Sequence, residues 1–133
     1  MRIDLCVPAD VEAPATARRG VSALGRYADD PLMGDVLLLV SELVTNCVRH
    51  ARLRAEDWIR VRVALKPAAV RLEVCDAGIG FTPARPRPRG PDEIGGRGLL
   101  LVDMIANRWG VESDGCTRVW AEIDRAERPA IVT

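Results

Sequence analysis

The stretch that sets the architecture is LMGDVLLLVSELVTNCVRHA, residues 32–51. Its apolar residues recur every three or four positions, a pattern that predicts one long amphipathic helix. The apolar stripe consists of Met33, Val36, Leu37, Val40, Leu43, Val44, Cys47 and Val48. Glu42 and Asn46 lie one turn apart on this helix, and Arg49 follows close behind them. We therefore expect a core helix that carries a few polar side chains at one boundary.

The composition of the whole chain bounds the class of protein. Its 133 residues, 48% of them hydrophobic, suffice for one domain with a proper core. The formal net charge of zero argues against a bulk attraction to nucleic acid or to anionic membranes. No stretch reaches about 20 unbroken apolar residues, and the N-terminus lacks the apolar centre of a signal peptide. We expect a cytoplasmic protein.

The cysteines and the single histidine do not form a metal-binding pattern. The four cysteines are Cys6, Cys47, Cys75 and Cys116. None belongs to a C-x-x-C pair, so no zinc site is predicted, and their apolar neighbours favour small buried thiols. Lys66 is the only lysine, which excludes a Walker-type phosphate loop. His50 is not a strong catalytic candidate.

The remaining residues predict strands and helices that surround the long helix. Alternating apolar residues predict strands at residues 3–7, 58–66 and 69–76, near Val111, and at residues 117–123. Helical spacing predicts further helices at residues 13–27 and 97–107. The two middle strands form a hairpin in the simplest interpretation. Asp29, Asp30 and Pro31 are expected to separate the first two helices.

A loop of about twenty residues, 77–96, holds most of the glycine and proline in the chain. Loops of this length in compact domains are usually lids or binding loops. The predicted fold is an α+β two-layer sandwich, with a mixed, mostly antiparallel sheet covered on one face by three helices. The lid lies between a strand and the third helix. We expect one domain over residues 1–133, with a frayed tail at about 126–133.

Two polar positions next to apolar surface have a possible chemical role. A carboxylate and an amide oxygen at Glu42 and Asn46 can organise a hard cation and a water, although a solvated helix face gives the same pattern. Strand alternation places Asp76 on the core side with Leu72 and Val74. A carboxylate buried there needs strong donors, such as a backbone amide or a ligand amine. The alternative is a plain turn that ends the strand.

Two groups of glycines lie later in the chain, one directly after Asp76 and one at the start of the third helix. Gly78 and Gly80 leave room for a flat group to approach the backbone. Gly95, Gly96 and Gly98 stand at the start of the third helix, where free backbone amides suit phosphate oxygens and Arg97 adds a cation. A glycine-rich hinge before an ordinary helix is the alternative. The order of the motifs is more informative than any one of them.

Taken in order, these motifs resemble those of the GHKL ATPase superfamily, which includes gyrase-type topoisomerases, sensor histidine kinases and anti-sigma-factor serine kinases. SELVTNCVRHA resembles the N box, DAGIGF the G1 box, GGRGLLLV the G2 box and DGCTRVWAEI the closing G3 strand. The resemblance covers about residues 5–123. It implies a site for ATP between the helical layer and the sheet.

The resemblance also implies a role for each matching residue. Glu42 corresponds to the acid that activates the attacking hydroxyl or water, Asn46 to the ligand of Mg²⁺, and Asp76 to the acceptor of the adenine amino group. The other implied nucleotide-binding positions are Arg49, Gly78, Gly80, Gly96, Arg97, Gly98, Leu99 and Thr117. Thr117 would support Asp76 and the base through water. Arg49 would approach the phosphates, or it is an exposed charge at the helix end.

Among the branches of this superfamily, a domain of this length with Glu42 in the N box is most similar to the anti-sigma-factor serine/threonine kinases. The exact residues of its N and G2 boxes resemble those of an actinobacterial regulator. That resemblance implies ATP and Mg²⁺, a sigma factor as a bound partner and a STAS-type anti-anti-sigma protein as the substrate. It also implies a possible homodimer, with no direct contact to nucleic acid or membrane. Two alternatives stay open: a nucleotide-gated regulator without turnover, and the detached catalytic domain of a histidine kinase.

Overall fold

A computed structural model describes residues 1–50, 57–76, 99–113 and 116–125 of the chain. Within these residues, three α-helices and five strands follow one another, and a 3₁₀ turn (Ser22–Arg26) follows the first helix. In chain order the elements are β1 (Arg2–Pro8), α1 (Ala13–Val21), α2 (Asp30–His50), β2 (Trp58–Leu65), β3 (Ala69–Asp76), α3 (Leu99–Ile105), β4 (Arg108–Ser113) and β5 (Thr117–Asp124).

The strands of the described residues form one sheet in the order β1-β2-β3-β5-β4. Every neighbouring pair is antiparallel, so the sheet is not mixed, and the predicted two-layer α+β sandwich is confirmed. β2 and β3 form the predicted hairpin, in which the Lys66 N–H donates to the Ala69 carbonyl oxygen over 2.9 Å. This order puts β3 in the middle of the sheet and β1 and β4 at its edges.

One face of the sheet packs against the helices because side chains alternate along each strand. The strand residues buried on that face are Val7, Ile59, Val61, Val63, Val70, Leu72, Val74, Ala121 and Ile123. The helices contribute Ala13, Ala17, Val21, Val36, Leu39, Val40, Leu43, Val44, Leu99 and Val102 to the same core. Each buried Val, Leu or Ile contributes about 1.5–3 kcal/mol relative to exposure, so this layer interface holds most of the stability.

Helix α2 begins at Asp30, two residues before its predicted start. The Leu32 N–H donates to Asp29 Oδ1 over 2.9 Å, which makes Asp29 a capping residue. Pro31 lies in the first turn, where a missing N–H costs nothing, so it starts the helix and does not break it. Among the described residues, 30–49 are long and apolar enough to cross a membrane by length and composition, but the core stripe of this helix packs on the sheet.

The other two helices end earlier than predicted. The α-helical part of α1 stops at Val21, and the chain reaches Tyr27 through the 3₁₀ turn. Helix α3 ends at Ile105 because the Asn107 N–H donates to the Glu122 carbonyl oxygen of β5 over 2.8 Å. Residues 97–98, the predicted lid at 77–96 and the predicted tail at 126–133 lie outside the described residues.

Candidate functional site

Asp76 ends the central strand and turns its side chain toward the helices. It lies opposite Ile59 of β2, and only 2% of it is exposed. The strand alternation predicted this orientation. A buried carboxylate costs free energy unless it accepts hydrogen bonds, so Asp76, unlike the apolar residues around it, requires a hydrogen-bond donor from a neighbour or a ligand.

Helix α2 packs against β3, the strand that ends in this carboxylate. The pKa of the Cys47 thiol is raised to about 12, first by burial and then by the charges of Asp76 and Cys75. The thiol is therefore neutral at physiological pH. The tertiary structure therefore brings together the helix motif and the strand motif of the sequence.

Asn46 precedes Cys47 and carries the clearest sign of an unmet polar requirement. Its Nδ2 atom is buried and has no hydrogen-bond partner in the described part of the chain. A buried donor left in this state costs about 1–3 kcal/mol. Because the oxygen and nitrogen of a side-chain amide are assigned by their surroundings, the group can present either atom to a ligand. Its chemistry fits a phosphate oxygen, or a hard cation with its water.

Glu42 lies one helical turn before Asn46 and is partly buried. Next to it, the Ser41 hydroxyl accepts a hydrogen bond from Arg18 Nη1 of α1 over 2.7 Å. This contact ties the start of the polar stripe to the first helix. The sequence did not point to Arg18, because only the packing of α1 on α2 brings it there. Arg49 is exposed at the far end of the stripe.

Thr117 lies at the same end of the sheet as Asp76, and Leu99 is a core residue. The β3–β5 register pairs Cys75 with Arg118, and its next step brings Thr117, which is partly buried, opposite Asp76. Leu99 begins α3 and is buried in the core. The remaining predicted positions are Gly78, Gly80, Gly96, Arg97 and Gly98, and they lie outside the described residues. Their roles stay predictions.

A pair of thiols also lies at this end of the sheet. Cys75 Sγ and Cys116 Sγ are 3.0 Å apart, and both residues are partly exposed. The prediction of buried thiols is wrong for Cys6, which is exposed on β1. The sequence contained a signal for the pair, since both cysteines sit one residue before a core-facing polar residue. Only the strand order shows that β3 and β5 are neighbours.

Residues 7–123 match the family model of the histidine kinase-like ATPase domain. The chain belongs to this family. The match confirms the GHKL resemblance and makes ATP the expected ligand of the fold. The chain is also similar to the uncharacterized protein SCO4941 of Streptomyces coelicolor, with 44% identity over 79 residues that span 59% of this chain and 74% of that protein. An actinobacterial relative fits the expectation drawn from the motif wording.

Within this histidine kinase-like ATPase domain, the site has three parts in the described residues. Helix α2 supplies a carboxylate and an unpartnered amide one turn apart. The end of β3 supplies a buried carboxylate, and the start of β5 supplies a hydroxyl across the ladder. A carboxylate that is deeply buried suits a neutral donor such as an amino group, whereas the half-buried carboxylate on the helix is open to an approaching hydroxyl.

Proposed function

We propose that this ATPase domain is an anti-sigma-factor-type serine/threonine protein kinase. It binds Mg-ATP between α2 and the sheet, phosphorylates an anti-anti-sigma protein of the STAS type and holds a sigma factor. The observation that carries the proposal is the buried Nδ2 atom of Asn46, which has no hydrogen-bond partner among the described residues and stands one turn from Glu42 on the helix that packs against β3. A cytoplasmic location is part of the same proposal.

Asp76 is the residue proposed to recognise the base. Its carboxylate accepts hydrogen bonds only, so it favours the exocyclic amino group of adenine over the carbonyl oxygen that guanine carries at the same position. Burial strengthens this preference because a mismatched acceptor would leave the carboxylate without a donor in a dry environment. Thr117, one step beyond the last pair of the β3–β5 ladder, is proposed to support Asp76 through its hydroxyl.

Asn46 and Glu42 are proposed to serve the phosphate end. The side-chain oxygen of Asn46 is a hard donor suited to Mg²⁺, and this ion, when bound, neutralises charge on the phosphates. The Glu42 carboxylate accepts the proton of the incoming serine hydroxyl. A bond forms between that hydroxyl oxygen and the γ-phosphorus, the bond from the γ-phosphorus to the bridging oxygen breaks, and ADP leaves.

Homodimer formation belongs to the same proposal. β1 is an edge strand of the described sheet, and its outer side offers backbone groups that a second strand can pair with. Gly20 of α1 packs so closely on β1 that an added Cβ would lie 2.6 Å from Leu5 Cδ2. Helix and strand therefore form one tightly packed surface. A strict monomer in light scattering at high micromolar concentration would remove this part of the proposal.

The test uses Glu42→Gln, with Asp35→Asn as a matched control at an exposed position of the same helix. Proteins captured by a pull-down from the native host serve as phosphoryl acceptors, with labelled Mg-ATP as the donor. Loss of a general base lowers rates by about 10²–10⁴-fold, so transfer by the Glu42 variant should fall by at least about 100-fold while Mg-ATP binding persists. The control should transfer at the wild-type rate.

Each other result has a defined meaning. Undiminished transfer by the Glu42 variant would reject Glu42 as the base. Binding of Mg-ATP without transfer by the wild type would favour a nucleotide-gated binding regulator, and acid-labile phosphate on the target would favour a histidine kinase. Mg-ATP at 100 times its Kd should stabilise the fold by about 2.7 kcal/mol, and no thermal shift at millimolar Mg-ATP would contradict the nucleotide site itself.

A further inference from the structure

The thiols of Cys75 and Cys116 form a close pair on the open face of the sheet, away from the helices. Their Sγ atoms are 3.0 Å apart, and either thiol can donate the hydrogen bond between them. A disulfide bond has a length of about 2.0 Å, so the two sulfur atoms need to approach by only about 1 Å to be joined. Both residues are partly exposed.

The position of the pair links two strands that end at the candidate site. Cys75 pairs with Arg118 across the β3–β5 ladder, and Cys116 lies just before the first residue of β5. Asp76 follows one cysteine and Thr117 follows the other, with their side chains directed to the opposite face. A bond between the sulfur atoms would tie together the backbone segments that present these two residues.

The surroundings of Cys75 favour an anionic reagent. Cys75 lines a shallow depression together with Arg60, Arg62, Glu73 and Arg118. Each arginine is also paired with an acidic side chain, Arg60 and Arg62 with Asp4, and Arg118 with Glu73 and Glu112. A guanidinium group has five N–H donors, so an arginine that is paired with one carboxylate can still bind the carboxylate of a small disulfide, and salt weakens this attraction.

We propose that Cys75 and Cys116 are a reversible modification site for anionic low-molecular-weight disulfides of the glutathione type, which close the pair to an intramolecular disulfide and thereby weaken nucleotide binding. The bond formation stands on the thiol geometry alone. The effect on nucleotide rests on the proposed function, because it requires that Asp76 and Thr117 contact the ligand.

The chemistry proceeds by two exchange steps. The Cys116 thiolate attacks one sulfur of the small disulfide, forms a mixed disulfide and releases one small thiol. Cys75 Sγ then attacks Cys116 Sγ, its proton passes to the departing thiolate, and the second small thiol leaves. The protein loses two electrons and two protons to the small disulfide, which is reduced to two thiols. Excess small thiol reverses both steps.

Cys75 is assigned the second step because of its environment. Burial and the hydrogen bond with Cys116 raise the pKa of Cys75 to about 12, and the nearby Arg118 only partly opposes this shift. Cys75 therefore holds its proton at neutral pH and is a poor first nucleophile. Its 3.0 Å distance from Cys116 makes the second step intramolecular, which compensates for the small thiolate fraction.

The first experiment treats the full chain with oxidised glutathione and reads intact mass and disulfide-linked peptides. Wild type should lose two hydrogens, about 2 Da, apart from any glutathione adduct on the exposed Cys6, and yield a peptide that joins Cys75 to Cys116. Cys75→Ser should retain a glutathione adduct on Cys116. Cys6→Ser, which removes the exposed thiol of β1, should still form the bond. Absence of the linked peptide from wild type, or a bond between other cysteines, would overturn the proposal and requires no variant to fold.

The second experiment measures Mg-ATP affinity before oxidation, after oxidation and after reduction with dithiothreitol. A displacement of about 1 Å at a binding group is enough for a large loss, so affinity should fall by about 10-fold or more and recover on reduction. Equal affinities in a sample with the linked peptide would refute the effect on the nucleotide. If the reduced protein does not bind Mg-ATP at all, the proposed function fails while the disulfide result stands.

Discussion

The two faces of the sheet are built from the same strands and have opposite chemistry. On the covered face, β2 and β3 contribute Val61, Leu72 and Val74, each no more than 1% exposed. On the open face the same strands carry Arg62 and Glu73, which face solvent with the charged residues of their neighbours. The difference teaches where stability and function divide: the covered face holds the core and the buried Asp76, and the open face holds ion pairs and thiols.

Ion pairs on the open face are numerous and individually weak. Asp4 accepts two hydrogen bonds from Arg60, over 3.0 and 2.8 Å, and one from Arg62 over 3.4 Å. The side chain of Asp4 is 39% exposed, and that of Arg60 is 42% exposed. Pairs of this kind contribute about 0–1 kcal/mol because water already solvates the charges. They bridge β1 and β2, so they favour the observed register of these two strands but add little to the stability of the fold.

The largest expected effect comes from the covered face. Leu72→Ala removes a fully buried side chain of the central strand and leaves a cavity, so we expect a loss of about 2–5 kcal/mol in the free energy of unfolding. Arg62→Ala, on the neighbouring strand and the opposite face, should change it by about 1 kcal/mol or less. Urea unfolding followed by circular dichroism measures both. Equal losses would mean that the two faces do not differ in the way described.

Asp76→Asn tests whether the buried carboxylate at the end of β3 serves a ligand. A hydrogen bond to a charged group is worth about 1.5–3 kcal/mol, so Mg-ATP affinity should fall by about 10- to 150-fold. Glu73→Gln is the matched control, since it lies on the same strand and points to the open face. Isothermal titration calorimetry gives both affinities. Wild-type affinity in the Asp76 variant would place the nucleotide elsewhere.

Gly110→Ala tests packing on the open face. A Cβ at this position would lie 2.8 Å from Trp120 Nε1, so the indole that Arg71 covers at 4.5 Å has to shift. Overpacking of this kind costs about 1–3 kcal/mol. On α2, a Cβ added at Gly34 would meet no described atom within 4 Å outside its own stretch of helix. Gly34→Ala should therefore raise the stability by about 0.5–1 kcal/mol, because alanine favours a helix. Opposite signs in urea unfolding would confirm the contrast, and a neutral Gly110 variant would contradict it.

The smallest effect concerns acid stability. Hydrogen bonds from Arg108, and then from Arg71, hold the pKa of Glu122 below its usual value. The unfolded chain therefore binds this proton more readily, and the stabilisation is present above the unfolded pKa of about 4.3 and is lost as the pH falls below it. Glu122→Gln should lower Tm slightly at pH 7 and flatten its decline between pH 5 and pH 3.

The control for the acid experiment is Glu12→Gln, at an exposed position before α1. Its Tm should follow the wild-type curve over the same range. Added salt should shrink the difference between wild type and the Glu122 variant, because salt screens an exposed pair. Coincident curves for wild type and the Glu122 variant would show that the ion pairs of Glu122 do not contribute to the stability.

Local patterns in the sequence were sufficient for the parts of the molecule that depend on neighbours along the chain. The stripe of α2, the β2–β3 hairpin and the inward orientation of Asp76 follow from helical and strand periodicity alone. The motif order also led to the ATPase family. The predicted ends of the helices were less accurate. Pro31 lies in the first turn of α2, where Asp29 caps the helix. Asn107 lies beyond α3, because its N–H donates to the carbonyl oxygen of Glu122 in β5.

By itself the sequence determined which residues are apolar, at what period they recur, and therefore which face of each element is buried. The tertiary structure alone decided that β3 lies beside β5, that Arg18 reaches Ser41, that α2 packs against β3, and that Cys75 meets Cys116. The physical reason is the distance along the sequence over which each effect acts. Periodicity is set by steric and solvation preferences within a few residues, whereas these contacts join residues that are far apart in the sequence, 23 positions for Arg18 and Ser41 and 41 positions for Cys75 and Cys116, and they exist only once strand order and helix packing are in place.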